Sequence, residues 1–294
     1  LLSNRPKLTI LDAVVIISLL TAGTIIYIRI VKGLEYNWEW SFILQYIYRY
    51  DHNTESWVPG MLARGFFTTI RLSIWATLLA IILGTLIGLF RTSSNLLQKL
   101  IGFSYVQVIR NIPPLVLVFI FYFFVSDLVM PAIGVEEFFR NRSETTQSIL
   151  SFLFAPAGQF QSFLSAVITL AIYEAAYIAE IVRGGINSIP KGQWESSAAL
   201  GFNRRQQLTM VILPQAFQRT LPPLAGQFIS TIKDSAIVSI ISIQELTFQG
   251  MELMAATYKT FEIWITITLL YFTLTFTCSR LIGKLENRLA RKYR

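Results

Sequence analysis

Residues 192–214 read GQWESSAALGFNRRQQLTMVILP, a polar and basic stretch inside an otherwise apolar chain. Two helical pieces are legible in it, separated at Gly201. Pro190 can open the first, because the N–H it lacks has no helical partner at that position. Trp194, Ser197, Ala198 and Gly201 then fall along one side, and Gly201 is placed to stop the helix as a left-handed C-cap. The second piece is expected from Arg204 to Leu213, ending near Pro214. A short helix of small residues with a Trp fits a groove on a soluble partner. Arg204 and Arg205 equally suit a helix resting on a lipid surface, and composition leaves both readings open.

The rest of the chain sets the class. Hydrophobic residues make up 53% and charged residues 14% of the 294 positions, against about 25% charged in soluble domains. Mean hydropathy is +0.54. The single cysteine, Cys278, excludes an internal disulfide framework, and the single histidine, His52, leaves no His/Cys metal cluster. The net charge of +8 does not point to nucleic acid, because the basic residues flank apolar spans instead of covering a soluble face.

A helix needs about 20 apolar residues to cross a bilayer, and six runs qualify. They are Leu8–Val31, Met61–Phe90, Phe103–Val125, Phe160–Val182, Leu224–Ile243 and Phe261–Ile282. The first follows Arg5 and Lys7 and is too long for a signal-peptide core, so it is expected to be retained. Arg91 and Lys99 lie between the second and third runs. Lys191, Arg204, Arg205 and Arg219 lie between the fourth and fifth, and Lys284, Arg288, Arg291, Lys292 and Arg294 follow the sixth. With six spans all of these fall on the side of the N-terminus, which the positive-inside rule makes cytoplasmic. The opposite loops differ. Asp127–Gln159 carries Asp127, Glu136, Glu137 and Glu144 against Arg140 and Arg142, and Lys32–Gly60 carries the interface-type aromatics Tyr36, Trp38, Trp40 and Trp57.

Polar groups inside spans are costly and normally face a protein interior or a wet cavity. Lys233, Asp234, Ser235, Ser239 and Ser242 interrupt the fifth run, and Glu174, Glu180 and Arg183 the fourth. Tyr173, Tyr177, Glu180 and Gly184 share a helix face, with Glu174 beside it. Glu180 and Arg183, at i and i+3, are candidates for a structural ion pair. Glu174 has no partner within a turn and is the better candidate for lining a path, unless Lys233 meets it across helices.

The run from Glu174 to Leu246 resembles the permease subunits of binding-protein-dependent ABC importers, in the polar amino acid branch. That family carries Glu-Ala-Ala, a glycine with three residues between it and the second alanine, and Ile-x-Leu-Pro further on. Here stand Glu195, Ser196, Ser197, Gly201, Ile212, Leu213 and Pro214. AYIAEIVRGGINSIPKGQ (176–193), LPQAFQRTLPP, IKDSAIVSIISIQEL and YVQVIRNIPPLVL (105–117) look like the same branch, and the resemblance covers roughly residues 57–285. Ser196 and Ser197 replace two alanines, Asn111 and Ile112 replace Gly-Thr before Pro113, and Ala236 and Ile237 replace Ser-Leu. None of these removes a charge or the glycine.

The resemblance implies an all-α membrane protein of about six transmembrane helices with the type I ABC importer permease fold and a cytoplasmic coupling helix. Its divisions are an extra N-terminal helix and external segment (1–56), a permease domain (57–285) with an external loop (127–159) and a coupling loop (184–222), and a basic cytoplasmic tail (286–294). Gln193, Glu195, Ser196, Ser197, Ala198, Gly201 and Pro214 are the implied coupling residues. Candidates for the substrate path are Glu174, Tyr173, Tyr177, Arg110, Lys233, Asp234 and Ser235. The implied partners are a second permease subunit, identical or not, two ATP-binding subunits, an external or periplasmic amino-acid-binding protein and the amino acid itself. The place is a bacterial cytoplasmic (inner) membrane with both termini inside. No Gly-x4-Gly-Lys-Ser/Thr loop occurs, so ATP and Mg²⁺ are expected on a separate chain and this one is not an enzyme.

Other classes explain less. A secondary transporter could use Glu174, Glu180 and Asp234 as a proton relay, but no repeat between the halves is visible. A membrane-embedded hydrolase would need a base that neither His52 nor Cys278 supplies. A bare anchor leaves the polar groups of spans four and five without a reason.

Overall fold

Small residues recur along the second apolar run. In the computed structural model its buried positions from Thr69 to Gly88 are Thr69, Leu72, Ser73, Ala76, Thr77, Ala80, Gly84 and Gly88. Spacings of three and four put them on one stripe, and small side chains let two membrane helices approach closely. That stripe faces the fourth run. A Cβ on Gly84 would lie 2.7 Å from Cβ of Ile178 and 2.8 Å from the carbonyl oxygen of Ala175, and one on Gly88 would lie 2.7 Å from Cβ of Val182.

The structure describes residues 10–33, 36–52 and 55–292, with side chains over 10–29, 36–52 and 55–284. Arg5, Lys7, the start of the first span at Leu8, Arg294 and the side chains of Arg288, Arg291 and Lys292 lie outside it. In chain order the elements are α1 (Ile10–Gly33), α2 (Ile43–Ile47), β1 (Tyr48–Asp51), β2 (Ser56–Pro59), α3 (Met61–Thr92), α4 (Leu96–Asn111) and α5 (Pro114–Phe124). A π turn (Val125–Val129) leads to α6 (Met130–Ala132), followed by α7 (Val135–Arg140), α8 (Glu144–Leu153) and α9 (Phe160–Asn187). Then come α10 (Lys191–Ala199), α11 (Arg204–Gln206), a second π turn (Gln207–Ile212), α12 (Leu213–Asp234), a 3₁₀ stretch (Ser235–Ile241), α13 (Leu246–Thr257) and α14 (Thr260–Lys292). Residues 1–41 and 42–294 form two separate compact units. In the first, α1 is an apolar helix with Leu11, Ile17 and Leu20 exposed.

Among the described residues, six segments are long and apolar enough to cross a membrane: Ile10–Arg29, Met61–Thr92, Pro114–Ala132, Ala157–Asn187, Arg204–Ile241 and Thr260–Lys284. Two depart from the runs expected from the sequence. The third does not begin at Phe103, because Ile112, held extended (φ −96°, ψ 140°) before Pro113, ends α4. The crossing helix starts at Pro114. The fifth begins well before Leu224. The helix was expected to stop near Pro214, yet it runs through Pro214, Pro222 and Pro223 to Asp234. The π turn at Gln207–Ile212 ends one residue short of Pro214, with Leu213 between them. Its i→i+5 pattern loosens the ladder where the proline lacks an N–H and would crowd a carbonyl.

In the second unit α3 and α9 make the centre of the core. Leu72, Ala76, Leu170 and Tyr173 pack with Leu117 and Val118 of α5 and with Val238 and Ile241. Toward the other end Ala80, Ile178, Val182 and Ile186 pack with Ile212 and Ala216. The segment 127–159 is tied to α3: Arg71 Nη1 donates to the carbonyls of Ser151 (3.0 Å) and Phe152 (3.2 Å), and Trp75 Nε1 to that of Leu153 (2.9 Å). These donors satisfy orphan carbonyls at the end of α8. A buried carboxylate ties α13 to two spans. Glu245 accepts from Phe248 N (2.8 Å), Tyr271 Oη (2.7 Å) and Thr69 Oγ1 (3.3 Å).

Candidate coupling joint and translocation path

The polar loop folds as a short helix with a hard stop. At Gly201 φ is +81°, a conformation that costs an L-residue with a side chain about 1–2 kcal/mol. Gly201 N donates to Ala198 O (2.9 Å) and Phe202 N to Ser197 O (3.1 Å), the paired bonds of a Schellman cap. After the turn, Asn203 and Gln206 close a reciprocal capping box, Gln206 N to Asn203 Oδ1 and Asn203 N to Gln206 Oε1, both 2.9 Å. The chain leaves one helix and enters the next with its end groups satisfied.

The expected faces of α10 need correction. Trp194 is half-buried and packs on the helical core rather than standing free, with the Arg204 guanidinium stacked 4.1 Å from its ring. Ser197 is buried, and its Oγ donates to Trp194 O (2.9 Å), so it braces the helix from within. Gln193, Glu195, Ser196 and Ala198 are exposed. Leu200, which the sequence reading passed over, is 75% exposed beside them. Gln193 Oε1 accepts from Gln215 Nε2 (3.1 Å), and Arg219 Nη1 donates to Ser188 O (2.6 Å). Pro214 lies inside the continuous helix just beyond that joint.

Two polar groups sit along α9. The deeper is Glu174, with no exposure. Its Oε2 accepts from Gln227 Nε2 of α12 (2.6 Å), its Oε1 has no hydrogen-bond partner among the described residues, and the Asp234 carboxyl lies beside it. Lys233 is exposed and does not meet Glu174; Ser235 is buried with its Oγ turned to Ile232 O (2.8 Å). Tyr173 Oη and Tyr177 Oη are 3.1 Å apart nearby.

The second group surrounds Glu180. Arg183 was expected as its partner and is 2.8 Å away, but Arg91 of α3 also pairs with it and Arg110 of α4 stands at 3.9 Å. The Arg110 guanidinium also lies 5.4 Å from the centre of the Tyr177 ring. One carboxylate among three guanidiniums leaves this end of α9 cationic. The six residues from Glu174 to Glu180 amount to about 9 Å along a helix. A carboxyl pair with an unmet oxygen and a cationic cluster are therefore offered at two depths of one helix.

Sequence reasoning missed Gln227 and Arg91. Gln227, Thr231 and Asp234 recur at i, i+4 and i+7, a polar stripe that was available in the sequence. Arg91 was counted only as a flanking charge.

The model of a family described as binding-protein-dependent transport system inner membrane components matches residues 76–291. The glutamine transport system permease protein GlnP of Escherichia coli (strain K12) is 32% identical over 229 residues, 78% of this chain and 93% of that one. The probable glutamine ABC transporter permease protein GlnM of Bacillus subtilis (strain 168) is 30% identical over 234 residues, 80% and 95% of the two chains. Among solved structures, an amino acid ABC transporter with histidines superposes at a TM-score of 0.64 and 29% identity, over 86% of this chain and all of that one. The MetNI methionine ABC transporter, at 18% identity and a TM-score of 0.56 over 76% of this chain and 95% of that one, shares the fold.

Proposed function

The chain belongs to the binding-protein-dependent transport system inner membrane components, and from that membership we infer that it is the permease subunit of an ATP-driven ABC importer for amino acids. It is a transporter component and not itself an enzyme. The capped helix Lys191–Ala199, held against the permease by Trp194 and Ser197 while Glu195, Ser196 and Leu200 face outward, carries this reading. A soluble ATPase can push on such a helix, and the capped turn after it, followed by the run from Arg204 through α12, sends the push to Gln227 and Asp234 in the span.

The finer assignments follow from the same reading. Two permease chains, two ATP-binding subunits on the α10 side and an external amino-acid-binding protein make up the importer, in a bacterial inner membrane with both termini inside. ATP and Mg²⁺ belong to the ATP-binding subunits, where ATP drives closure. Glu174 and Asp234 receive an ammonium or another N–H-bearing group of the amino acid, with Tyr173 and Tyr177 beside them. Arg110 receives its carboxylate toward the cytoplasmic mouth. Glu180, held by Arg183 and Arg91, orders that cationic cluster.

Uptake by the reconstituted complex tests the reading. With binding protein outside and ATP inside proteoliposomes, labelled glutamine or glutamate accumulates; with an ion gradient and no ATP it does not. Gly201→Val leaves the complex assembled and ATP hydrolysed while uptake falls at least tenfold. Uptake driven by the gradient alone, or unchanged in Gly201→Val, sinks the proposal.

A further inference from the structure

The cytoplasmic end of α3 and the coupling joint enclose a recess that transport leaves unused. Its volume is about 730 Å³, within the range of small-molecule sites of about 300–1,000 Å³. Leu86, Leu89 and Phe90, from the last turns of a membrane span, form one wall, and Ile189 and Leu208 form part of the other. The rim is basic: Lys191, Arg204 and Arg205 line it, all exposed, and none of the lining residues is acidic. Arg204 is held at the rim by its stack on Trp194, which occupies the face of the guanidinium and leaves its N–H edge free to donate. Ser94 adds a hydroxyl at the turn into α4.

We propose that this recess binds an anionic phospholipid of the cytoplasmic leaflet, its phosphate on Lys191, Arg204 and Arg205 and the upper part of an acyl chain against Leu86, Leu89 and Phe90. Apolar walls below a cationic rim match an amphiphile and not a free anion. The recess also opens where α3 ends, at the level of the headgroups. Basic pockets between spans on the cytoplasmic side favour anionic headgroups. The proposal rests on the orientation given above. Its consequence is that the coupling helix is seated partly on lipid, so the lipid composition of the bilayer bears on how firmly the joint is held.

Native mass spectrometry of the intact complex, exchanged into phosphatidylglycerol or phosphatidylcholine, tests this. Wild type retains phosphatidylglycerol at least tenfold over phosphatidylcholine. The variant Lys191→Gln/Arg204→Gln/Arg205→Gln loses the preference. Lys99→Gln/Arg280→Gln/Lys284→Gln removes the same charge elsewhere on the same side and keeps it. Leu89→Trp fills the recess without touching charge and also loses retention, which decides the matter if the triple variant does not assemble. Equal retention of the two lipids by wild type, or by the two charge-neutralised variants, overturns the proposal. So does displacement of phosphatidylglycerol by millimolar glycerol 3-phosphate, which would mark a site for a soluble anion. Retention is read without ATP or amino acid, so its failure leaves the transport reading standing, and loss of transport with lipid retained overturns only that reading.

Discussion

Glu174 is the side chain on which the proposed substrate recognition turns. It is fully buried, one oxygen is satisfied by Gln227 and the other is unmet. Beside that oxygen stands the Asp234 carboxyl, and two neighbouring buried carboxyls disfavour each other's charge, so an amino acid ammonium supplies donors and a positive charge that the pair lacks. Glu174→Gln removes the charge while keeping the shape. A charge-assisted hydrogen bond contributes about 1.5–3 kcal/mol, so uptake in proteoliposomes is expected to fall roughly 10- to 100-fold, with cationic amino acids falling furthest in the ranking. An unaltered rate and ranking would remove Glu174 from the path. The sequence marked Glu174 as a polar residue without a neighbour on its own helix. It left Lys233 as a candidate partner, because the register between two helices is not written in either of them. The structure turns Lys233 outward and brings Gln227 and Asp234 in.

Among the elements, the contact of α3 with α9 carries the fold, and its tightness comes from Gly84 and Gly88. A side chain at Gly84 would press on Cβ of Ile178 and on the backbone carbonyl of Ala175, and backbone cannot yield as a flexible side chain does. Overpacking of this kind costs about 1–3 kcal/mol and sometimes more. Gly84→Leu is therefore expected to lower the thermal midpoint of the detergent-solubilised protein and its yield in the membrane; Gly23→Leu, with open space around its Cα, serves as the comparison. A midpoint equal for both variants would show that the α3–α9 contact is looser than the geometry states. Elements were legible where the signal is local. The spans followed from runs of apolar residues, and the stop at Gly201 followed from its place after Ala198 and before Asn203. The course through Pro214 was not legible, because a proline usually ends a helix and the π turn that admits it has no sequence signature. Nor was the break at Ile112, where apolar character runs on past the conformational restraint of Pro113.

Over the whole molecule, the outward face of α10 and the polar groups of α12 are joined by one unbroken path of backbone. The capping box at Asn203, the π turn and α12 follow each other without a flexible link, and α12 alone spans about 33 Å at 1.5 Å per residue. A push on α10, passed across the capped turn at Gly201, is therefore expected to reach Gln227 and Asp234, while Ser197 and Trp194 hold α10 to its own permease. Leu200 is the apolar side chain that this device leaves outside, 75% exposed next to the cap. An exposed leucine is ordinary on a surface, but this one stands beside Glu195 and Ser196 on the face proposed to meet the ATPase. Burying it there would contribute about 1.5–3 kcal/mol. Leu200→Asp is expected to leave the permease folded, since Leu200 packs on nothing in its own core, and to weaken its hold on the ATP-binding subunits about 10- to 100-fold. Two readouts separate this from misfolding: copurification of the ATP-binding subunits, which falls, and the thermal midpoint of the permease alone, which stays. Stimulation of ATP hydrolysis by the loaded binding protein should fall together with copurification. If the ATP-binding subunits copurify undiminished and are stimulated as before, the face of α10 that carries Leu200 is not the one they grip, and the lever must be driven from elsewhere on the cytoplasmic side.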